Sequence, residues 1–404
     1  MPHKLVVTGI GVISAIGQGK ALFTTALLEG KAAFNVMRRP GRQRESAYLG
    51  AEIREIIFPA SVARQTLRAA SLSAQAALVA LEEAWIEARL YNVDPNRTGL
   101  IVGGSNIQQR VLAQIHEDYR DRLAFLRPTY ALSFMDSDLC GFCTAQFGIR
   151  GLANTVGGAS ASGQLAIIQA AQAVLSNQVD ACVALGALMD LSYWECQSLR
   201  ALGAMGSDRY ADEPALACRP FDCDHDGFIF GEACGAVVIE SLESSERRGI
   251  EPYAALRGWG VAMDGNRNPE PSLEGETRAI QSALDASRLP PAQIDYVNPH
   301  GTGSTLGDET ELEALRTCGL TDAYLNATKS LIGHGLSAAG TVEVIATLLQ
   351  MQAGQLHPTR NLENPIDSTF NWVRNKLVDH QIENALTLSM GFGGINTALC
   401  WQRA

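Results

Sequence analysis

The chain has no long apolar run and no excess of positive charge. No apolar stretch approaches the roughly 20 residues of a membrane-spanning helix, and Met1 to Lys4 lead into an apolar segment without the pattern of a signal peptide. Lys and Arg number 32 against 43 Asp and Glu, for a formal net charge of −11. We therefore expect a cytoplasmic protein with no membrane partner and no nucleic acid partner.

Cysteine is present, but its arrangement indicates neither disulfides nor metal. The nine cysteines are scattered, mostly in apolar segments where a reduced thiol acts as a small hydrophobic side chain. Cys140 and Cys143 form a C-x-x-C pair, but no second pair follows at the spacing of a zinc site. His225 lies between two aspartates without an identifiable third ligand. The sequence thus predicts no metal.

Predicted strands and helices alternate throughout, which is typical of an α/β protein. Strands are predicted at 5–8 (followed by a glycine turn at 9–11), 99–102, 152–156, 181–185, 233–239, 254–258, 295–298, 385–388 and 397–401. Helices are predicted at 69–88, 161–175, 242–248, 274–286, 308–318 and 338–351. A break near 249–252 divides the chain into halves, 1–250 and 251–404, with a similar order of elements. We expect a pseudo-duplicated core.

A serine stands at a glycine-rich turn between a predicted strand and an apolar helix. Ser160 follows Gly157 and Gly158 and comes directly before the predicted helix. A hydroxyl there lies at a helix N-terminus, where free N–H groups and the helix dipole favour developing negative charge. The same position also suits an N-cap serine, which stabilises a helix by about 1 kcal/mol. Taken alone, the pattern favours the N-cap.

Two of the seven histidines change this interpretation. His300, in HGTGS, and His334, in GHG, each lie in a glycine-rich loop after a predicted strand. Such loops do not pack into a core, so the two imidazoles form a candidate catalytic pair. A third loop, GFGGIN, contains Phe392 and Gly393, and its glycines would let backbone N–H groups approach a substrate oxygen.

Together these motifs resemble the ketosynthases of fatty acid and polyketide synthesis. The resemblance extends from VVTGIG (6–11) through RPFD (219–222), DGF (226–228), HGTGS (300–304) and KS…GH (329–334) to GFGGIN (391–396). It implies a thiolase fold, five-layered α-β-α-β-α with two pseudo-duplicated halves. It also implies a homodimer whose substrate is carried on the phosphopantetheine arm of an acyl carrier protein, with no other cofactor.

The resemblance assigns a role to each catalytic candidate. His300 and His334 would bind the thioester carbonyl and then the enolate, and the backbone N–H groups of Ser160 and Phe392 would form an oxyanion hole. Lys329 would orient the His334 loop, or its charge network through Glu311. The side chain of Phe392 would gate the acyl pocket.

Substrate and carrier contacts follow from the same resemblance. Thr302 and Ser304 would bind the pantetheine arm, and Phe228 and Gly393 would complete the substrate site. An acidic carrier protein would need basic residues on an enzyme of charge −11. The docking candidates are Arg38, Arg39, Arg42, Arg44, Arg64 and Arg68. The arginines at 38–44 are equally consistent with a solvated loop.

The chain departs from the family at the nucleophile, where A-C-x-S-G is replaced by ASASG at 159–163. A helix N-terminus can lower the pKa of a cysteine thiol, usually about 8.5, whereas a serine hydroxyl needs a dedicated base. Condensation should therefore fail. Decarboxylation needs only donors directed at the developing enolate oxygen. The sequence accordingly resembles the free-standing decarboxylating ketosynthases of polyketide β-branching cassettes, which convert malonyl- to acetyl-carrier protein.

Three alternatives remain open at this point. A serine acyltransferase or esterase would use Ser160 itself, since GASAS lacks only the last glycine of the G-x-S-x-G elbow. A silent partner subunit would not catalyse a reaction, although both histidines are retained. An ordinary condensing enzyme would require an artificial serine, and the flanking Gly157 and Gly158, in place of the family's usual Thr-Ala, oppose that interpretation.

Overall fold

Long, buried strands form the centre of the computed structural model, which describes residues 4–60, 62–267 and 269–404. The first strands are β1 Leu5–Ser14, β2 Gly17–Gln18, β3 Asn35–Val36, β4 Leu49–Ala51, β5 Thr98–Gly103, β6 Ala153–Val156, β7 Ala181–Gly186, β8 Phe230–Gly231 and β9 Ala233–Ser241. They are followed by β10 Ala254–Met263, β11 Tyr296–Asn298, β12 Tyr324–Leu325, β13 Gln355–Leu356, β14 Asn371–Trp372, β15 Val378–Asp379, β16 Asn384–Gly391 and β17 Ile395–Arg403.

Helices connect most of these strands. They are α1 Lys20–Leu28, α2 Arg64–Ala69, α3 Leu72–Glu87, α4 Gln109–Tyr119, α5 Tyr130–Ser133, α6 Ser137–Phe147, α7 Ser162–Leu175, α8 Tyr193–Ala201, α9 Leu242–Arg248, α10 Leu273–Ser287, α11 Thr305–Thr317, α12 Lys329–Ile332 and α13 Ala339–Ala353. Within the described ranges, none of these helices has both the length and the apolar composition needed to cross a membrane.

Two sets of five strands have the same order and the same directions. The first set runs β6-β5-β7-β9-β1 and the second β12-β11-β16-β17-β10, with β14 added beside β12. In each set the first three strands are parallel and the last two pair antiparallel. The sets join where β1 pairs with β10, Leu5 opposite Leu256. The core is therefore a topological duplication.

Helices cover these strands in three layers. Helix α3 packs on β1 and β9, and α10 packs on β10 and β17 with α11 beside it. Helices α7 and α13 contact each other between the two sets, and α13 contacts both β9 and β16. The largest group of buried apolar side chains lies around these two central helices. The order of layers is α-β-α-β-α, as the resemblance implied.

Gly9 and Gly11 lie inside strand β1, not in a turn after it, which corrects the sequence-based expectation. A Cβ atom at Gly11 would lie 1.9 Å from the carbonyl oxygen of Ala80, and one at Gly9 would lie 2.6 Å from that of Ala84. Both oxygens belong to α3. The glycines are therefore needed because this helix crosses the strand at close range.

The loops with catalytic candidates follow corresponding strands of the two sets. The Ser160 turn joins β6 to α7, and the segment with Lys329 and His334 joins β12 to α13. Because β6 and β12 occupy the same place in the duplication, these two loops meet at the N-terminal ends of the central helices. His300 follows β11, and Phe392 lies in the hairpin between β16 and β17.

Candidate active site

The Ser160 turn has a left-handed residue directly before the serine. Ala159 has φ +47°, a conformation that costs a non-glycine residue about 1–2 kcal/mol. The Ser162 hydroxyl accepts the N–H of Gly158 at 2.9 Å and donates to the carbonyl oxygen of Ala159 at 2.7 Å, which holds the turn in place. Ser160 makes no capping hydrogen bond to the helix, so the N-cap interpretation is wrong.

The hydroxyl of Ser160 contacts His334 instead. Its Oγ lies 2.8 Å from His334 Nε2, while His334 Nδ1 accepts the N–H of Leu336 at 3.4 Å. Burial, with the nearby charge of Lys329, holds the pKa of His334 well below its usual range. The ring is therefore neutral, its hydrogen lies on Nε2, and it donates to Ser160. In this arrangement His334 is not a base for the serine.

His300 presents a second donor of the same kind. Its ring lies 5.3 Å from that of His334, centroid to centroid, at an angle of 84°. Lys329 Nζ lies 3.4 Å from His300 Nδ1, and an ammonium group can only donate. Burial lowers the pKa of His300 well below its usual range, and the Lys329 charge acts in the same direction. The neutral ring therefore also carries its hydrogen on Nε2.

Lys329 is buried beneath this pair rather than in the cavity. Its side chain is 1% exposed and forms an ion pair with Glu343 of α13 at 2.5 Å. It also donates to the carbonyl oxygen of His300. Glu311, the expected partner, accepts the N–H groups of His300 at 2.5 Å and Gly301 at 2.8 Å. Lys329 thus acts on His300 and Glu343, which differs from the expected contact with the His334 loop.

One cavity of about 210 Å³ brings most of the candidates together. Its walls include Ser160, His300, His334, Thr302, Ser304, Phe228 and Phe392. The ring of Phe228 meets that of His334 edge-on, at 5.1 Å between centroids. Met189, Leu199 and Leu336 make part of the wall apolar. The cavity therefore joins hydrogen-bond donors to a largely apolar surround, as small-molecule sites usually do.

The β16–β17 hairpin packs directly on the Ser160 turn. A Cβ atom at Gly391 would lie 2.2 Å from the carbonyl oxygen of Gly158, so only glycine allows this approach. Phe392 is 44% exposed and lines the cavity. Gly393, expected at the substrate, is not among the lining residues; it has φ +95° and open space around it, while Gly391 and Gly394 line the cavity. The glycine at 393 is therefore explained by the backbone conformation of the turn.

The arginines expected to dock the carrier protein do not form one surface. Arg42 is 0% exposed and forms ion pairs with Glu52, Asp190 and Glu232, at 2.7–2.8 Å. Arg39 pairs with Glu232 at 2.5 Å. Acids distant in the sequence thus neutralise both side chains inside the fold, which corrects the docking expectation for them. Arg38, Arg44 and Arg68 are exposed, and Arg64 begins α2. Arg44 pairs with Glu117 at 3.0 Å.

Sequence reasoning missed two acids. Glu343 is a single carboxylate in an otherwise uncharged buried helix, a pattern that could have indicated an internal ion pair. Burial raises its pKa to about 7, although Lys329 acts in the opposite direction. Glu276 of α10 lines the cavity at 1% exposure. Its helix has an ordinary amphipathic pattern, so the sequence offered no comparable signal.

The possible metal ligands do not converge. Over the described parts of the chain, no group of three or more His, Cys, Asp or Glu side chains could hold a metal ion. His225, flanked by aspartates in the sequence, instead lies with its Nδ1 3.3 Å from Asp308 Oδ2. Cys140 and Cys143 are buried, and burial raises the pKa of both thiols.

Known proteins share both the sequence pattern and the fold. Residues 3–245 match the description "Beta-ketoacyl synthase, N-terminal domain", and residues 253–363 match "Beta-ketoacyl synthase, C-terminal domain". The chain belongs to the β-ketoacyl synthase family. The crystal structure of a β-ketoacyl synthase from Burkholderia phymatum superposes with a TM-score of 0.89 at 26% identity, with 100% of each chain covered.

Two further relatives are more specific. The chain is 62% identical over 399 residues to the polyketide biosynthesis malonyl-ACP decarboxylase PksF of Bacillus subtilis, covering 99% of this chain and 96% of that protein. It also resembles a type II polyketide ketosynthase (AntDE:AntF), solved in complex with its acyl-carrier protein and bound to the hexaketide. There the TM-score is 0.88 at 25% identity, with 100% of each chain covered.

Proposed function

We propose that this enzyme decarboxylates malonyl-acyl carrier protein to acetyl-acyl carrier protein in polyketide β-branching, without condensation. The observation that carries the proposal is the matched pair of neutral imidazoles. His300 and His334 each have Nδ1 facing a donor, which places each ring hydrogen on Nε2. The His334 hydrogen, which is donated to Ser160 in this structure, would turn to the same substrate oxygen as that of His300. The likeness to PksF supports the same reaction.

In the proposed reaction, the thioester oxygen lies against the two Nε2–H groups. As CO₂ leaves, negative charge moves onto this oxygen, and the donors stabilise the resulting enolate. Fixed donors in a buried site are effective because they do not need to reorganise, and removing one typically costs about 10²- to 10³-fold in rate. The backbone N–H groups of Ser160 and Phe392 form a further donor pair in this proposal, supported by the close packing of Gly391 on Gly158.

Ser160 has a supporting role rather than a nucleophilic one. Its hydroxyl accepts the His334 hydrogen at 2.8 Å, and this geometry provides no base to remove the serine proton. A serine nucleophile needs such a base. The geometry thus favours decarboxylation over a serine acyltransferase, in which His334 would have to present an unprotonated nitrogen.

The carrier protein delivers the substrate on its phosphopantetheine arm in this proposal, and no other cofactor takes part. Thr302 and Ser304 line the cavity beside the two histidines, where hydroxyl groups can bind the arm. The exposed Arg38, Arg44 and Arg68 are the proposed docking residues. The proposed assembly is a cytoplasmic homodimer, with each chain composed of halves 1–250 and 251–404.

The test is intact-protein mass spectrometry of malonyl-carrier protein after incubation with wild-type enzyme and with H300A, H334A and S160A. We expect wild type and S160A to convert it to the acetyl form, with H300A and H334A at least tenfold slower. H116A is the matched control, since His116 is exposed and outside the cavity. Loss of turnover in S160A, or its persistence at the wild-type rate in H300A, would contradict the proposal.

A further inference from the structure

Glu276 is a buried acid that lines the catalytic cavity and, within the described ranges, has one buried carboxyl oxygen without a hydrogen-bond partner. It lies in the first turn of α10, is 1% exposed and lines the same cavity as Ser160, His300 and His334. Its Oε2 has no hydrogen-bond partner among the described residues. A buried polar atom left unpaired costs stability, so its retention calls for a functional reason.

Three other acids surround Glu276, and each already accepts hydrogen bonds. Asp264, after β10, accepts from the Asn396 amide at 2.7 Å. Asp308 of α11 accepts the N–H groups of Phe221 and Gly303, and Glu311 accepts those of His300 and Gly301. Glu276 is therefore the acid of this group with a buried carboxyl oxygen that accepts no hydrogen bond from the part of the chain that the structure describes.

The same surroundings favour the protonated form of Glu276. Burial raises its pKa well above the usual range, and the charges of Glu311, Asp264 and Asp308 act in the same direction. Arg257, on the packed strand β10, lies away from Glu276, since the next residue, Gly258, packs against the C-terminal end of α10. The Glu276 carboxyl group thus has both a proton and a free orientation toward the cavity.

Decarboxylation without condensation creates a demand for a proton. In a condensing enzyme the enolate carbon attacks an acyl-enzyme, but here it must become a methyl group. The two imidazoles are neutral and hold their Nε2 hydrogens as hydrogen-bond donors, so they are poor acids. An effective proton donor has a pKa near the working pH, and such a donor typically contributes about 10²- to 10⁴-fold in rate.

Resting on the decarboxylase function proposed above, we infer that Glu276 is the proton donor to the enolate carbon. The bond between that carbon and the carboxylate breaks, CO₂ leaves, and the electron pair forms the enolate. The O–H bond of Glu276 then breaks as the new C–H bond forms and the thioester carbonyl is restored. The carboxylate regains its proton from water, which reaches the cavity where the exposed Glu270 lines it.

Slow protonation would lower the net rate even with both histidines intact. The enolate and CO₂ are formed together in a small cavity and can recombine, so protonation makes the reaction irreversible. Glu276 therefore acts after C–C cleavage, whereas His300 and His334 act during it. The pH dependence of the rate distinguishes these two roles, because Glu276 can donate a proton only in its protonated form.

The test compares E276Q and E276A with wild type and with E274Q. Glu274 lies on the same helix with its side chain 82% exposed, so E274Q makes the same change outside the cavity. We expect E276Q to lower kcat for acetyl-carrier protein formation at least tenfold, with an unchanged KM and melting temperature. Wild-type activity should fall as alkaline pH deprotonates Glu276. E276Q should lose this fall, and E274Q should behave as wild type.

Two outcomes would overturn the inference. A wild-type rate and pH profile in E276Q would reject the donor role while leaving the decarboxylase intact. A raised KM or a lowered melting temperature with unchanged kcat would show a structural role instead. If wild-type enzyme forms no acetyl product, the proposed function itself fails, which is a separate result from the behaviour of E276Q.

Discussion

The Nε2 atom of His334 lies 2.8 Å from the hydroxyl oxygen of Ser160, and the backbone N–H of Leu336 occupies the other ring nitrogen. Since the imidazole is neutral, this arrangement makes the histidine the donor and the serine the acceptor. Serine hydrolases use the opposite direction, with the histidine accepting the serine proton. The contact therefore resembles the serine–histidine pair of a serine hydrolase in distance, but its hydrogen bond has the opposite direction.

Replacing Ser160 by cysteine should restore a reactive thiol. The side chain would lie near the N-terminal end of α7 in a partly exposed turn, conditions that lower a thiol pKa. We expect S160C to react with iodoacetamide at least tenfold faster than wild type, measured by mass spectrometry of peptides. The exposed Cys223 should be removed from both proteins as a background. Equal labelling of the two would contradict the proposed environment.

Removing Lys329 should destabilise the fold as well as the site. K329M leaves Glu343 in the core without its partner, and breaking a buried pair typically costs about 3–5 kcal/mol in the free energy of unfolding. The double variant K329M/E343L should recover part of that loss because it leaves no buried charge. Urea denaturation measures both. A double variant no more stable than K329M would show that the ion pair is not the cause.

Replacement by alanine should have different effects at Gly391 and at Gly393. A Cβ atom at Gly391 would lie 2.2 Å from the Gly158 carbonyl oxygen, so G391A must displace the turn that holds Ser160. G393A meets open space and experiences only the strain of φ +95°, about 1–3 kcal/mol. We expect G391A to lose at least 100-fold in decarboxylation rate and G393A less than tenfold. Similar losses would argue against close packing as the reason.

The decarboxylation rate should be maintained as the pH falls well below 6.5. Burial lowers the pKa of His300 and His334, so both remain neutral donors as the pH falls through the usual histidine range. The effect of falling pH on stability has the opposite sign to that of a histidine in a salt bridge. In the unfolded chain these two side chains take up protons below about pH 6.5, and in the folded chain they do not, so their contribution to stability decreases there. A rate profile with its acid midpoint at 6.5 would contradict neutral, buried rings.

Substitutions at Arg42 and at Arg38 should have different effects, the first on folding stability and the second on docking of the carrier protein. R42A leaves Glu232 and Asp190 buried without this partner, so we expect a clearly lower melting temperature. R38E changes an exposed residue and should keep the melting temperature but raise KM for carrier protein severalfold, more so at low salt. The control is H116A, which alters another exposed residue outside the cavity.

The sequence predicted the main strands and helices of the core and the loops with the catalytic candidates because these depend on local patterns, while helices such as α4 and α6 were missed. Apolar runs bounded by glycine marked strands such as β7, and the two histidine loops were recognisable by motif. The burial of Arg42 was not predictable, since its acids lie 10, 148 and 190 positions away. Glu276 reaches the cavity only because α10 packs across β10, a tertiary relationship without a local signature.

The duplicated topology has a consequence for how the chemistry is distributed along the chain. Ser160 precedes one central helix and His334 precedes its counterpart, so each repeat provides one member of the contacting pair. Neither repeat alone holds both members of this pair. The proposed catalytic centre is thus an interface between two similar units that hold different functional groups at corresponding places, a hydroxyl in one and an imidazole in the other.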